Sequence, residues 1–237
     1  MSSSFKFKQF TIHQDRCAMK IGTDGVLLGA WVSLNNSPQS ILDIGAGTGV
    51  IALQLAQRSF AENIDAVEID PDAFEQCVEN FERSDWGDRL FCYHASVEEL
   101  ADEVEEQYDL IVSNPPFYTD EFKSDNEARD IARSTDALPF EVLLNSVSVL
   151  LSETGHFSLI LPKKEEEQFI QLAENFNLYP TRICRVRGTT TSEEKRSLLE
   201  FQFNKQEVLL DELIIENARH DYTSDYVKLV KDFYLKM

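Results

Sequence analysis

A short apolar run, Ser40 to Ile44, leads straight into Gly45-Ala46-Gly47-Thr48-Gly49 and then into helical spacing from Val50 to Arg58. Glycines at a strand-to-helix turn let the backbone approach a ligand closely, and the helix beyond them presents unpaired N–H groups at its start. The same unit recurs. Ile64 to Val67 reads as a second strand before a helix opening at Asp70-Pro71, and Leu90 to His94 as a third before the capping box Ser96-Val97-Glu98-Glu99. Strands alternating with helices imply a parallel sheet. Ligands of such sheets bind beyond the carboxyl ends of the strands, where Gly45, Glu68, Ala95 and Asn114 all fall by sequence order.

The glycine spacing is G-x-G-x-G, not the G-x-G-x-x-G of dinucleotide sites, and Asp43 precedes it. A carboxylate near the mouth repels a pyrophosphate and suits the ammonium of an amino-acid group. Glu68 and Ile69 end the second strand, and an acidic residue about 20 positions beyond the glycines is where a ribose diol is held. An amino acid and a ribose without a phosphate describe S-adenosylmethionine. The cofactor contacts expected on this reading are Asp43, Gly45, Gly47, Gly49, Glu68, Ile69, Ala95 and Ser96.

A fourth apolar run, Tyr108 to Val112, ends on Asn114-Pro115-Pro116-Phe117. Each proline fixes its own φ and pushes the preceding residue out of the helical region, so this tetrad is stiff. The carbonyls of Asn114 and Pro115 and the Asn114 amide oxygen are three acceptors to which a planar NH2 group can donate. Phe117 or Tyr118 offers a face for a flat base. The catalytic set expected is Asn114, Pro115, Pro116 and Phe117. An aromatic exocyclic amine is a weak nucleophile because its lone pair is delocalised, and hydrogen bonds to Asn114 and the Pro115 carbonyl favour the tetrahedral nitrogen of the transition state.

DIGAGTG at 43–49, VEID at 67–70 and SNPPF at 113–117, in that order and spacing, resemble a class I methyltransferase acting on a planar nitrogen. FKFKQFTIHQDRCAMKIGTDGVLLGAW at 5–31 and YTSDYVKLVKDFYL at 222–235 resemble the two ends of the tRNA1(Val) adenine N6-methyltransferase family. The resemblance covers essentially the whole chain. It implies a Rossmann-like α/β fold: a mostly parallel seven-stranded sheet, helices on both faces and a terminal antiparallel strand pair. It also implies N6-methylation of a tRNA adenine next to the anticodon of a valine tRNA. The tetrad alone also fits N5-methylation of a protein glutamine or N2-methylation of a guanine, and a silent methyltransferase fold serving as a binding module would carry a broken tetrad or glycine turn. Both motifs are intact here. Ser96 stands where many class I enzymes have an Asp facing the adenine amine of the cofactor, which bears on cofactor affinity.

The organisation expected is an N-terminal lid or brace, 1–35, packed on a catalytic domain, 36–237. Phe5 to Cys17 reads as short strands or a hairpin, and Thr23-Asp24 as the cap of a helix through Val26, Leu27 and Trp31. In the resembling family this segment lies over the cofactor, which implies contacts from Thr23 and Asp24 to its methionine end. Residues 118–138, polar and with Arg129 and Arg133 at helical spacing, read as a substrate lid. Beyond them the pattern predicts a helix at 139–151, a strand at 157–161, a helix at 163–176 and two strands, 181–186 and 198–203.

The net charge of −20 is awkward for an enzyme of RNA, since nucleic-acid affinity rests on neutralising phosphates. Its distribution is uneven. Residues 61–110 alone carry 17 Asp and Glu against Arg83 and Arg89, leaving −5 for the rest of the chain. Arg185, Arg187, Lys195 and Arg196, with Tyr118, are the expected RNA contacts; pairing of these arginines with nearby carboxylates such as Glu193 and Glu194 is the competing expectation. Four cysteines without a C-x-x-C pair and four histidines without ligand spacing indicate neither a disulfide framework nor a metal. No apolar run approaches the ~20 residues that span a bilayer, so a cytoplasmic protein without an obligate protein partner is expected.

Overall fold

The computed structural model describes residues 4–116 and 138–237. Strands β3 (Ser40–Ile44), β4 (Asn63–Glu68), β5 (Leu90–His94), β6 (Tyr108–Ser113) and β7 (Leu151–Pro162) run parallel, in the spatial order β7-β6-β3-β4-β5. They alternate with α2 (Val50–Arg58), α3 (Pro71–Glu82), α4 (Val97–Glu103) and α5 (Phe140–Leu150) as the sequence predicts. Because side chains alternate across a strand, neighbours in β3 go to opposite layers. Ile41 packs with α2, whereas Leu42 and Ile44 pack with α4 and α5. Both faces are therefore covered, and the strands read as unbroken apolar runs.

Local chemistry starts the helices where expected. Asp70 caps α3, its Oδ1 accepting from Ala73 N at 2.8 Å, with Pro71 at the first helical position. Ser96 and Glu99 form a full capping box on α4. Thr23 and Asp24, in contrast, do not cap α1 (Thr23–Trp31). Gly22 is its N-cap, no side chain caps it, and both residues lie inside its first turn, where Asp24 still complements the helix dipole.

Past β7 the sheet continues through β9 (Glu194–Gln202), antiparallel to β7, and β8 (Tyr179–Thr189), antiparallel to β9. This is the expected terminal pair. Among the described residues the sheet has nine strands rather than seven, however, because β10 (Leu209–Ala218) adds parallel to β8 and β11 (Asp221–Tyr222) pairs antiparallel to β10. A 3-10 turn and α6 (Glu166–Ala173) precede β8, and α7 (Ser224–Val230) packs back on the α1–α2 side.

At the other end of the chain, β1 (Ser4–Lys6) and β2 (Thr11–His13) pair antiparallel. Phe7, Phe10 and Ile12 join the core that holds α1, α2 and α7. The C-terminal residues clasp this segment: Phe7 bridges Tyr234, and Lys8 N donates to Phe233 O at 2.8 Å.

Candidate active site

The register places four strand ends side by side. Ile44 is level with Val67 on one side and Ser113 on the other, and Glu68 is level with His94. The glycine turn, Glu68-Ile69, Ala95-Ser96 and Asn114-Pro115 thus share one edge, as the order of motifs implies.

The turn is shaped by three residues with positive φ: Gly45 at 72°, Gly47 at 54° and Gly49 at 76°. A Cβ at Gly45 or Gly47 would meet nothing within 4 Å, so these two glycines border open space; one at Gly49 would strike the Phe81 ring at 2.5 Å. Gly45 N and Ala46 N donate to Val67 O at 2.9 and 3.2 Å.

Glu68 holds the turn from the neighbouring strand. Its Oε2 accepts from Gly47 N at 2.8 Å and its Oε1 from Asp70 N at 2.9 Å. An ionised carboxylate has about four acceptor positions, so each oxygen retains one. That is one acceptor for each hydroxyl of a vicinal diol. Beside it Ile69 is 64% exposed, an apolar surface at the site's rim. Its carbonyl lies 3.1 Å from His94 Nε2, and His94 stacks on Phe74.

Asp43 departs from expectation, because it is fully buried beneath the turn rather than near the mouth. It faces the α2 side of β3, where Oδ2 accepts from Ala52 N at 3.1 Å; Oδ1 has no partner among the described residues. Burial pushes its carboxyl up to about 7, against the lowering effect of the Ala52 N–H and with a further rise from the charge of Glu68. Ser96 is likewise occupied, with Oγ accepting from Glu99 N at 3.1 Å.

Asn114 is half-buried, Pro115 buried and Pro116 exposed. Helix α1 presses close here: a Cβ at Gly25 would lie 3.8 Å from Asn114 Nδ2 and 3.4 Å from Val50 Cγ1. Phe117 and Tyr118 lie outside the described residues, as does the stretch read as a substrate lid apart from Leu138.

The arginines expected to meet RNA are engaged with carboxylates. Arg185 and Arg187 do share a face of β8, but Arg185 Nη2 lies 2.9 Å from Glu166 Oε1, and Arg187 pairs with Glu212 and, at 3.3 Å, with Glu194. Arg196 Nε lies 2.8 Å from Asp24 Oδ2, so two residues expected on the substrate and the cofactor instead hold each other. Glu166 is the hub of this network. Burial works against its charge, but hydrogen bonds from Arg185 and Ser197 and the nearby Lys163 prevail and hold its carboxyl below the usual range. Lys195 remains exposed.

Sequence reasoning missed Asn80 and Cys17. Asn80 stands on the inward stripe of α3 with Ala73, Gln76, Cys77 and Phe81, all buried, and a polar residue at an apolar position was the available signal. Cys17 is buried so near Glu68 and Asp70 that burial, then their charges, push its thiol up to about 12.

Among the described residues, no three His, Cys, Asp or Glu side chains gather as a metal ligand set, and no helix is long and apolar enough to cross a membrane. The four cysteines are free. A depression of about 530 Å³ at the far end of α2, lined in part by Lys8, Arg58 and Asp232, lies away from the glycine turn. Its cations are occupied by the carbonyls of Gly29, Val32 and Lys231.

A family model described as "Methyltransferase small domain" matches residues 23–177. A tRNA1(Val) (adenine(37)-N6)-methyltransferase of Flavobacterium psychrophilum is 60% identical over 98% of this chain and 100% of its own length. The protein of the same description from Bacteroides fragilis is 45% identical over 98% of both chains. Among solved structures, a predicted O-methyltransferase from Agrobacterium tumefaciens aligns with a TM-score of 0.68 at 18% identity, over 89% of this chain and 96% of that one. A ribosomal protein L11 methylase from Lactobacillus delbrueckii aligns at 0.53 and 14% identity, over 76% and 78%. These two likenesses concern the fold.

Proposed function

Since the chain belongs to the tRNA1(Val) (adenine(37)-N6)-methyltransferase family, we propose that it methylates the exocyclic N6 amine of an adenine in tRNA, next to the anticodon of a valine tRNA. The methyl donor is S-adenosylmethionine, which when bound supplies an electrophilic methyl group on sulfur.

The observation that carries the reading is the juxtaposition, on one sheet edge, of the glycine turn, the two remaining acceptor positions of Glu68 and the Asn114-Pro115 acceptors. The residues fit the cofactor. Gly45 and Gly47 border open space, Glu68 matches the ribose diol, Ile69 offers an apolar face to the adenine, and buried Asp43 adds negative potential under the amino-acid end.

On the substrate side, Asn114 Oδ1 and the Pro115 carbonyl accept from the N6 amine. These acceptors stabilise nitrogen as it turns tetrahedral, a contribution specific to the transition state. The nitrogen lone pair would form the new C–N bond as the S–CH3 bond breaks, its electron pair staying on sulfur to leave neutral S-adenosylhomocysteine, and the proton then leaves the nitrogen to water, so no base acts beforehand. The adenine must leave its stack to reach the edge, at least cost in an unpaired loop. With the arginines held by carboxylates, exposed Lys195 is the cation of that cluster left to face phosphates, while the arginines fix the strands that carry it.

The test is to incubate a valine tRNA transcript with the protein and labelled cofactor, then identify the modified nucleoside by mass spectrometry. N6-methyladenosine, lost when the target adenine is replaced by guanine, is expected. Label on N2 of a guanine, or on a protein glutamine alone, would replace this reading.

A further inference from the structure

The glycine turn is gripped from two sides. From the sheet, Val67 O and Glu68 hold Gly45, Ala46 and Gly47. From the other side α3 packs Phe81 and Cys77 against Gly49, and its Asn80, which is 1% exposed, reaches the turn with a hydrogen bond. Its Nδ2 donates to Thr48 O at 2.9 Å, between the two left-handed glycines 47 and 49. The same amide makes a two-way pair with the end of β2: Oδ1 accepts from His13 N at 2.8 Å and Nδ2 donates to His13 O at 2.9 Å. One buried amide therefore fastens the N-terminal segment to the turn.

The segment beyond His13 is fastened to the same helix. Arg16 N donates to Gln76 Oε1 at 3.3 Å, the Arg16 guanidinium meets Glu75 and Glu79 at 3.2 and 3.0 Å, and Gln14 Oε1 accepts from Ile21 N at 2.9 Å. Cys17 is brought close enough to Glu68 to feel its charge. The stretch from His13 to Ile21 thus leads from α3, past Glu68, to the helix that presses on Asn114.

We infer that Asn80 is a positioning residue for cofactor binding, coupling docking of residues 13–21 to the conformation of the glycine turn. It touches neither cofactor nor substrate. By orienting the Thr48 carbonyl it sets the peptide planes of the turn, and by holding His13 it brings the brace along. A ligand that binds one arrangement of the turn must then stabilise the docked brace, and the docked brace must strengthen the ligand by the same factor. Local opening of such a segment is drawn from the low end of a protein's stability, so binding energy reaches it easily. This inference rests on the turn being the cofactor site.

The test uses the full chain and S-adenosylhomocysteine as probe. Asn80→Asp keeps the Oδ1 acceptor for His13 N but removes both Nδ2 donations; Asn80→Ala removes all three bonds. Both should weaken calorimetric affinity by roughly tenfold, the loss expected when about one or two net hydrogen bonds' worth of turn organisation is removed. The KM for S-adenosylmethionine should rise alike, with kcat at saturating cofactor within about twofold. In the unmutated protein, hydrogen exchange at 13–21 should slow when the probe is added. A variant that melts lower yet binds with unmutated affinity overturns the inference, leaving Asn80 merely structural. Exchange at 13–21 indifferent to the probe overturns it too, and that measurement stands even if neither variant folds. Failure of the unmutated protein to bind the probe at all would instead strike the cofactor assignment.

Discussion

Glu68→Gln is the substitution that most directly interrogates the cofactor site, because it preserves shape while changing what the end group can accept. In the structure two of the carboxylate's four acceptor positions serve Gly47 N and Asp70 N, leaving two for a diol. The glutamine amide keeps one oxygen. That oxygen serves one backbone N–H and one hydroxyl, while the NH2 group faces a backbone N–H that it cannot accept from. The variant loses one charge-assisted bond to the diol and one within the turn. A bond to a charged group contributes about 1.5–3 kcal/mol, so affinity for S-adenosylhomocysteine should fall by roughly 10- to 150-fold. The lost turn bond should lower the melting point of the free protein by about 3–12 °C. Calorimetry with the probe and with its 2′-deoxy analogue completes a double-mutant cycle. The deoxy analogue should bind the unmutated protein less well and lose less on passing to the variant. Equal losses for the two ligands, or an unchanged affinity, would refute the assignment of Glu68 to the ribose.

Further outcomes follow from the same geometry. Asn114→Ala should reduce turnover on tRNA about 100-fold with near-normal cofactor affinity, since one transition-state hydrogen bond is removed; near-normal turnover would sink the mechanism. Arg185→Gln should lower stability by about 1–2 kcal/mol by stripping the main partner from buried Glu166, while the salt dependence of tRNA binding stays put. Lys195→Gln should instead flatten that dependence by up to ~0.9 in the log–log slope, and an unaltered slope would move phosphate binding elsewhere. Asp43→Asn removes a carboxyl raised to about 7 on folding. Because the folded state holds this proton more tightly, the group's stability contribution is full below about pH 4 and is lost as pH rises through 7. The melting temperature of the variant relative to the unmutated protein should therefore climb between pH 5 and 8, and a constant difference would contradict it.

How much could be read beforehand depended on whether the determining interaction was local. Strands at 40–44 and 90–94, the Asp70 cap and the Ser96–Glu99 box are written within a few residues, and the structure places them there. Motif order along a parallel sheet brought Gly45, Glu68 and Asn114 to one edge for the same reason. Strand β10 was illegible because, in LLDELIIENA, only Leu213 is buried, so the run is acidic and lacks apolar alternation. The first half of β7, Ser152-Glu153-Thr154-Gly155-His156, is polar and falls between the helix expected at 139–151 and the strand expected at 157–161. The pairing of Arg187 with Glu194 was within reach of the sequence, whereas the other carboxylate partners of the arginines, Glu166, Glu212 and Asp24, sit 19 to 172 positions away, where no spacing rule reaches. Thr23 and Asp24 matched a capping pattern whose actual cap residue is the glycine before them.

The clasp between Phe7-Lys8 and Phe233-Tyr234 bears on the order in which the molecule assembles during synthesis. Strands β3 to β7 can pair as they leave the ribosome, since each neighbour needed is already made or soon follows. The N-terminal aromatics cannot settle that way. Phe7, with Phe10 stacked on it, finds its Tyr234 partner only after strands β3 to β11 have been made. Its packing on α1, α2 and Trp86 can form earlier, and the contact with Tyr234 is the one that waits. Synthesis of Phe233 and Tyr234 thus completes the packing around the brace.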